Sequence, residues 1–353
     1  MACLLALGSM FLVKPSNKYL TYIDFKVLGC LFCLMLVVAG FQKLYFFNHL
    51  SAFLLQFAHT PRQVSGILVC ITFFLSMAIT NDVALITFVP LTLIIFSLCK
   101  KTKPILLTIV LQTVAANIGS SLTPFGNPQN LFIFSYYSMT SSTFFKTMLP
   151  LVFPGALVLL LLLKGITSDK TDFFVQVETP LKLNKRQIIR YSVLFIVSLS
   201  AVFSILPWYI ALLIVSIFSE KILFRSVDYS LLLTFLALFI FVGNLGTSYQ
   251  VQNFFKNLLI GKVFLTSLFA SQFISNVPAT LLLAKFTSNA TQLLLGVNAG
   301  GCGTLIASMA SLISFKYFAN FSPSQVTRYI VVFTAINVFF IILFLGIWSI
   351  FLQ

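Results

Sequence analysis

Apolar runs of about 20 residues, the length needed to cross the hydrocarbon of a bilayer, recur along this chain and are parted by short polar connections. The pattern predicts an all-α polytopic membrane protein. No connection is long enough for a separate soluble domain. A second pattern lies over the first. Ile23-Asp24-Phe25 opens an apolar run that ends at Ala39-Gly40, and Val227-Asp228-Tyr229 opens another that ends at Val242-Gly243. Each run leads to an amphipathic stretch, 49–60 or 250–259, and then to an apolar run broken by a polar tip. The tips are Thr80-Asn81-Asp82-Val83-Ala84 and Ser275-Asn276-Val277-Pro278-Ala279.

Beyond each tip come a further apolar run and a segment rich in small residues, and the segments 117–130 and 298–311 align without a gap. In that register Gly119 matches Gly300, Thr123 matches Thr304, Gly126 matches Ala307, Asn127 matches Ser308 and Asn130 matches Ser311. The repetition predicts two related halves, 1–166 and 188–353, joined by a polar cytoplasmic linker, 167–187, that holds Asp169, Asp172, Glu178, Lys182, Lys185 and Arg186. If the tips belong to re-entrant hairpins, fifteen of the 22 Lys and Arg fall on the linker side. That asymmetry obeys the positive-inside rule and predicts inverted repeats in a cytoplasmic membrane.

Composition agrees with the pattern: 59% of the residues are hydrophobic and 8% charged, with a mean hydropathy of +1.05, which excludes an ordinary soluble domain. The formal charge of +15 is scattered over the ends of apolar runs, so it orients the chain in the membrane and does not form a nucleic-acid surface. The six cysteines read as small hydrophobes, with Cys30 and Cys33 one helical turn apart inside a span. Residues 1–13 read as a short first helix; they lack the charged start and the small-residue cleavage site of a signal peptide.

Helix breakers in hydrocarbon leave backbone N–H and C=O groups unpaired, at several kcal/mol each, unless protein or a water-filled site satisfies them. Segment 117–130 carries two Pro and two Gly, so it is expected to unwind against a cavity and not to form an external loop. Of the seven acidic residues, Asp24 and Asp228 open helices, four lie in polar connections, and Asp82 alone sits at a predicted mid-bilayer position. An ionisable residue there points to function. It can ligate a cation, carry a proton, or cap the adjoining half-helix. Cys302, between glycines, reads as a packing residue, His49 and His59 as interfacial, and Lys285 and Lys316 as snorkelling lysines.

On these motifs the chain resembles the ion transporter superfamily of arsenite permeases, citrate and divalent-anion:sodium symporters, and a sodium/proton antiporter branch. Thr80-Asn81-Asp82 is similar to the Asn-Asp tip of the arsenite permease and antiporter branches; Gly126-Asn127-Pro128-Gln129-Asn130 resembles the superfamily's Gly-x-Pro-x-Asn segment, and Ser275-Asn276-Val277-Pro278 its second tip. The resemblance implies that hairpin tips and unwound segments enclose substrate and coupling ion near the midplane. It also implies that a transport domain moves like an elevator against a scaffold, and it suggests a homodimer. Two features depart from the family pattern: one short helix precedes Asp24 where the second half has runs at 188–206 and 208–218, and Asp82 stands where the dicarboxylate branch has Thr.

The expected function is secondary transport of a small anion or oxyanion, arsenite-type or carboxylate, driven by H+ or Na+. Sodium/proton antiport and a passive anion channel are the alternatives. No nucleotide-binding Gly-Lys-Ser/Thr signature is present, and the motifs supply neither a Ser/His pair nor metal ligands for an enzyme. The coupling ion, the sole expected cofactor, is assigned to Thr80, Asn81, Asp82, Asn117, Gly126, Asn127 and Asn130. Asn81, Asn127, Ser275, Asn276, Thr304 and Ser308 are assigned to the substrate, held by neutral donors and half-helix N-termini because neither tip has an Arg or Lys.

Overall fold

The computed structural model describes residues 2–11, 13–99, 102–167 and 184–351. Most of the expected linker, with Asp169, Asp172, Glu178 and Lys182, lies outside the described residues, as do Lys100, Lys101 and Lys170. The described residues form helices and no strand. In the first half these are α1 (Ala2–Ser9), α2 (Lys18–Tyr22), α3 (Phe25–Lys43), α4 (Phe46–Leu55), α5 (Pro61–Ile79), α6 (Asn81–Leu98), α7 (Ile105–Ser120), α8 (Pro128–Tyr136) and α9 (Ser141–Leu162). The second half contains α10 (Lys185–Val202), α11 (Trp208–Phe218), α12 (Tyr229–Leu245), α13 (Tyr249–Leu259), α14 (Val263–Ile274), α15 (Asn276–Ala284), α16 (Ala290–Gly301), α17 (Met309–Phe321) and α18 (Val326–Phe351).

The helix order of α3–α9 recurs in α12–α18. Among the described residues five helices are long and apolar enough to cross a membrane, or six if α12 and α13, bent by 102° at their junction, count as one span. Before Asp24 the structure has two short helices, not one: beyond the expected first helix, and past Pro15, which has no N–H to give, α2 forms over Lys18–Tyr22. The helix starts follow their capping residues: Asp24 Oδ1 accepts from the Val27 N–H at 3.0 Å and Asp228 Oδ1 from that of Leu231 at 3.0 Å.

One group of helices forms a frame, in which α3 packs on α10 and α11 and α12 packs on α1 and α2. Glycine permits two of these contacts. A Cβ at Gly40 would lie 2.3 Å from the Tyr191 ring and one at Gly243 2.2 Å from the Tyr22 ring, so each tyrosine rests directly on a helix backbone. The other group surrounds the tips. There α5 packs on α6 and α7, α14 packs on α15 and α16, and the halves exchange partners: α6 docks on α17, and α15 on α8. The amphipathic helices α4 and α13 link the two groups, and the chain turns into α4 at Tyr45, which has a positive φ of 54°.

Candidate functional site

Both tips hold the same rare backbone conformation, Thr80 at φ 74° and ψ 152° and Ser275 at φ 71° and ψ 154°. This region is almost restricted to glycine and costs on the order of 1–3 kcal/mol at other residues. Equivalent hydrogen bonds hold the two tips. The Asn81 N–H donates to the Gly126 carbonyl at 3.2 Å and that of Asn276 to the Ala307 carbonyl at 2.9 Å. Thr123 Oγ1 donates to the Met77 carbonyl at 2.5 Å, and Thr304 Oγ1 to the Gln272 carbonyl at 2.9 Å. Every member of each pair matches its counterpart in the register read from the sequence.

Between α7 and α8, and again between α16 and α17, the chain is unwound, as the glycines and prolines foretold. Two buried asparagines, the last-turn residues Asn117 of α7 and Asn298 of α16, organise the space between the unwound segments. Asn117 Oδ1 accepts from Asn81 Nδ2 at 3.3 Å and from Ser308 Oγ at 3.0 Å, while its Nδ2 donates to the Gly301 carbonyl at 3.2 Å. Asn298 Oδ1 accepts from Asn127 Nδ2 at 3.2 Å and from Ser121 Oγ at 3.0 Å, and its Nδ2 donates to Asn130 Oδ1 at 2.7 Å. The bonds from Asn127 to Asn298 and from Ser308 to Asn117 are equivalents, each reaching from one half into the other. Asn130 also donates to the carbonyls of Ser121 and Thr123, at 3.2 and 3.1 Å, and so holds the first unwound segment in place.

The N-termini of α6, α15, α8 and α17 start at Asn81, Asn276, Pro128 and Met309, beside these groups. Their N–H dipoles favour negative charge, whereas the ends of α7 and α16 present carbonyl oxygens that suit a cation. Asp82 stands in the first turn of α6, half-buried; its N–H donates to Asn81 Oδ1 at 3.0 Å, and no described donor meets its carboxylate. The carboxylate therefore caps no backbone group. Its counterpart Val277 is buried.

Among the expected residues, Asn81, Asn117, Asn127, Asn130 and Ser308 join one network, to which Gly126 contributes its carbonyl and Thr80 its backbone. Ser275 and Asn276 form the second tip, where Ser275 Oγ lies 3.4 Å from the Ala307 carbonyl. Thr304 is exposed and spends its hydroxyl proton on Gln272. The expectations omit Asn298, although its alignment with Asn117 marks it. They also omit Gln272, whose Nε2 donates to the Gly300 carbonyl at 2.8 Å and whose Oε1 accepts from the Thr304 N–H at 2.9 Å. Nothing in the sequence singles out that glutamine.

A helical membrane protein whose broken helices bring their ends together around buried amides has the build of a multi-pass transporter. The match to the model of the citrate transporter family runs over residues 1–295, and the chain belongs to that family. It is 37% identical over 298 residues to an uncharacterized transporter of Methanocaldococcus jannaschii, covering 83% of this chain and 81% of the relative. It is also 33% identical over 321 residues to the inner membrane protein YbiR of Escherichia coli, covering 89% and 85%. A shorter stretch, 44% of this chain and 31% of the relative, is 32% identical to the silicon efflux transporter LSI3 of Oryza sativa.

Proposed function

We propose that the chain is a secondary active transporter of a small anion or oxyanion in the cytoplasmic membrane, coupled to H+ or Na+. The observation that carries this reading is the polar centre itself: four helix N-termini and crossed asparagines from both halves meet there, and neither tip supplies a Lys or Arg. Such a site holds an anion by N–H dipoles and amide donors. The same donors suit a hydroxyl-bearing oxyanion, in keeping with the silicon named for the rice relative. Asp82, with no donor on its carboxylate, is the residue assigned to the coupling ion, helped by Asn81, Asn117 and the carbonyl of Gly126. The halves are read as inverted repeats, and the body around the tips is read as moving against the frame on α4 and α13.

The test uses sealed vesicles containing the purified protein, with citrate and arsenite as probes and H+ and Na+ gradients imposed one at a time. Uphill uptake of one probe under one gradient, lost when that gradient is collapsed, is expected. Concentrative uptake that survives collapse of both gradients would overturn the reading, as would an ohmic conductance without exchange between labelled pools. Sodium/proton exchange with no anion present would transfer the role of Asp82 to the antiporter reading.

A further inference from the structure

Away from the tips, a cavity of about 520 Å3 opens between the frame helices α3, α11 and α12 and the flanks of α8 and α15. Lys26, Lys285, Asp24, Tyr136 and Trp208 line it. Lys26 Nζ donates to Ser204 Oγ at 2.8 Å, and the ion pairs among the described residues are those of Glu220, so neither lysine here has a carboxylate partner. Asp24 turns its carboxylate to the N-terminus of α3, accepting the Val27 N–H, and its charge is answered there. The lining therefore holds two cations against one carboxylate, neither lysine is in an ion pair, and the cavity carries net positive charge.

A second cavity, also about 520 Å3, adjoins the first through the shared walls Phe25 and Trp208. It follows α3 and α11 past Leu28, Gly29, Phe32 and Leu212, and its walls are apolar as far as Ser216. From Phe25 to Phe32 the trough descends roughly 10 Å along α3, at about 1.5 Å per residue. Gly29 lets its wall close up: a Cβ there would lie 2.7 Å from Trp208 Cε3.

We propose that the two cavities together form a site for one anionic phospholipid, its phosphate between Lys26 and Lys285 and an acyl chain in the trough between α3 and α11. A free anion would leave the trough empty, and a neutral lipid would leave the net positive charge of the lining unanswered in a partly apolar setting. The occupant fills the space between the frame and the helices α8 and α15, whose opposite ends build the polar centre. The proposal does not depend on the transport reading.

Trp208 and Trp348 are the only tryptophans of the chain, so a Trp348→Phe background leaves Trp208 as the sole reporter. Phosphatidylglycerol or phosphatidylcholine with brominated acyl chains is titrated into the full chain in detergent. The expected result is quenching of Trp208 that half-saturates at about tenfold lower phosphatidylglycerol than phosphatidylcholine. Lys26→Gln with Lys285→Gln should reduce that preference to about twofold, Lys26→Arg with Lys285→Arg should keep it, and Ser216→Phe, which narrows the trough, should weaken both lipids. Equal quenching by the two lipids, or a preference that survives loss of both lysines, would overturn the proposal. Full displacement by millimolar inorganic phosphate would also overturn it, since the site would then belong to a free anion.

Discussion

The first hairpin, α5 with α6, and the second, α14 with α15, share their tip conformation, the carbonyls on which their tips dock and the threonine that staples each one. They differ in what surrounds that plan. The first has arms of 19 and 18 residues, a carboxylate in its tip, and a buried polar seam in which Gln112 Nε2 donates to Thr72 at 3.2 Å and Gln112 Oε1 accepts from Thr92 at 2.9 Å. The second has arms of 12 and 9 residues and Val277 in its tip, and Leu293, Leu294 and Leu295 occupy the level of Gln112 on α16. Backbone geometry is thus the shared part of the repeat, and ionisable and amide chemistry the divided part. Two tips alike in shape but not in charge offer different chemistry.

The sharpest way to break this comparison is to move the carboxylate. Asp82→Asn is expected to abolish gradient-driven accumulation in vesicles while leaving the thermal unfolding midpoint nearly unchanged. Val277→Asp should not restore accumulation to that variant, and it should lower stability by about 2–3 kcal/mol, because the acid enters a buried tip without a partner. Accumulation by the Asp82→Asn variant equal to that of the wild type would show that the coupling ion binds elsewhere.

The next largest effect tests the crossed asparagines. Asn117→Ala removes the acceptor of Ser308 in the opposite half and of Asn81 in its own, and Asn298→Ala removes that of Asn127 in the opposite half, at about 1–3 kcal/mol per stranded group. Because the two residues are equivalent, thermal unfolding in detergent should fall by similar amounts for both. A loss confined to Asn117 would show that the pseudo-symmetry of the network carries no energetic weight.

Gln112→Leu makes the first half resemble the second. Thr72 and Thr92 keep their helix carbonyls, those of Leu68 and Phe88, as acceptors, so the expected loss is only about 1 kcal/mol. Chemical denaturation resolves a change of that size, and a loss above about 3 kcal/mol would mean that the seam bears more of the fold than its hydrogen bonds indicate.

The smallest effect lies in the frame. Glu220 pairs with Lys43 of α3 and with Arg190 of α10, and the Lys43 hydrogen bond, with that cation's field and Arg190 beside it, holds the carboxyl below the usual glutamate range. A lowered folded value means that the pairs stabilise above the unfolded glutamate pKa and lose that contribution as pH falls through the folded value. Glu220→Gln should therefore be less stable than the wild type at pH 7, by less than about 1 kcal/mol for so exposed a cluster. The gap should close on acidification into and below the ordinary carboxylate range. A gap that widened there would reverse the assignment.

How far the sequence disclosed this arrangement depends on what each residue does to the backbone. Gly126, Pro128, Thr80-Asn81 and Ser275-Asn276 interrupt apolar periodicity, and interruptions can be read one residue at a time, so both tips and both unwound segments were legible. The partners of Asn117 and Asn298 were not, because they depend on how two halves cross in space. Gln272 was hidden for the same reason: a glutamine three residues before a tip gains meaning only once Gly300 and Thr304 fold back onto it. The second short helix before Asp24, Lys18–Tyr22, was not legible, because five residues opened by a lysine behind Pro15 carry too little apolar periodicity to mark a helix.

The exchange of partners between the halves also has a consequence for biogenesis. The ribosome completes α6, which ends at Leu98, long before its docking partner α17 begins at Met309, and α8, which ends at Tyr136, waits until Asn276 for α15. Throughout that interval Asn117 keeps Asn81 but lacks Ser308 and the Gly301 carbonyl, so a nascent first half carries an amide N–H without its final acceptor. Neither half can reach its final form alone. Two chains cut within 168–183 must therefore meet in the same membrane before either is complete, and quality control that senses exposed polar groups in lipid would treat an orphaned half as unfinished.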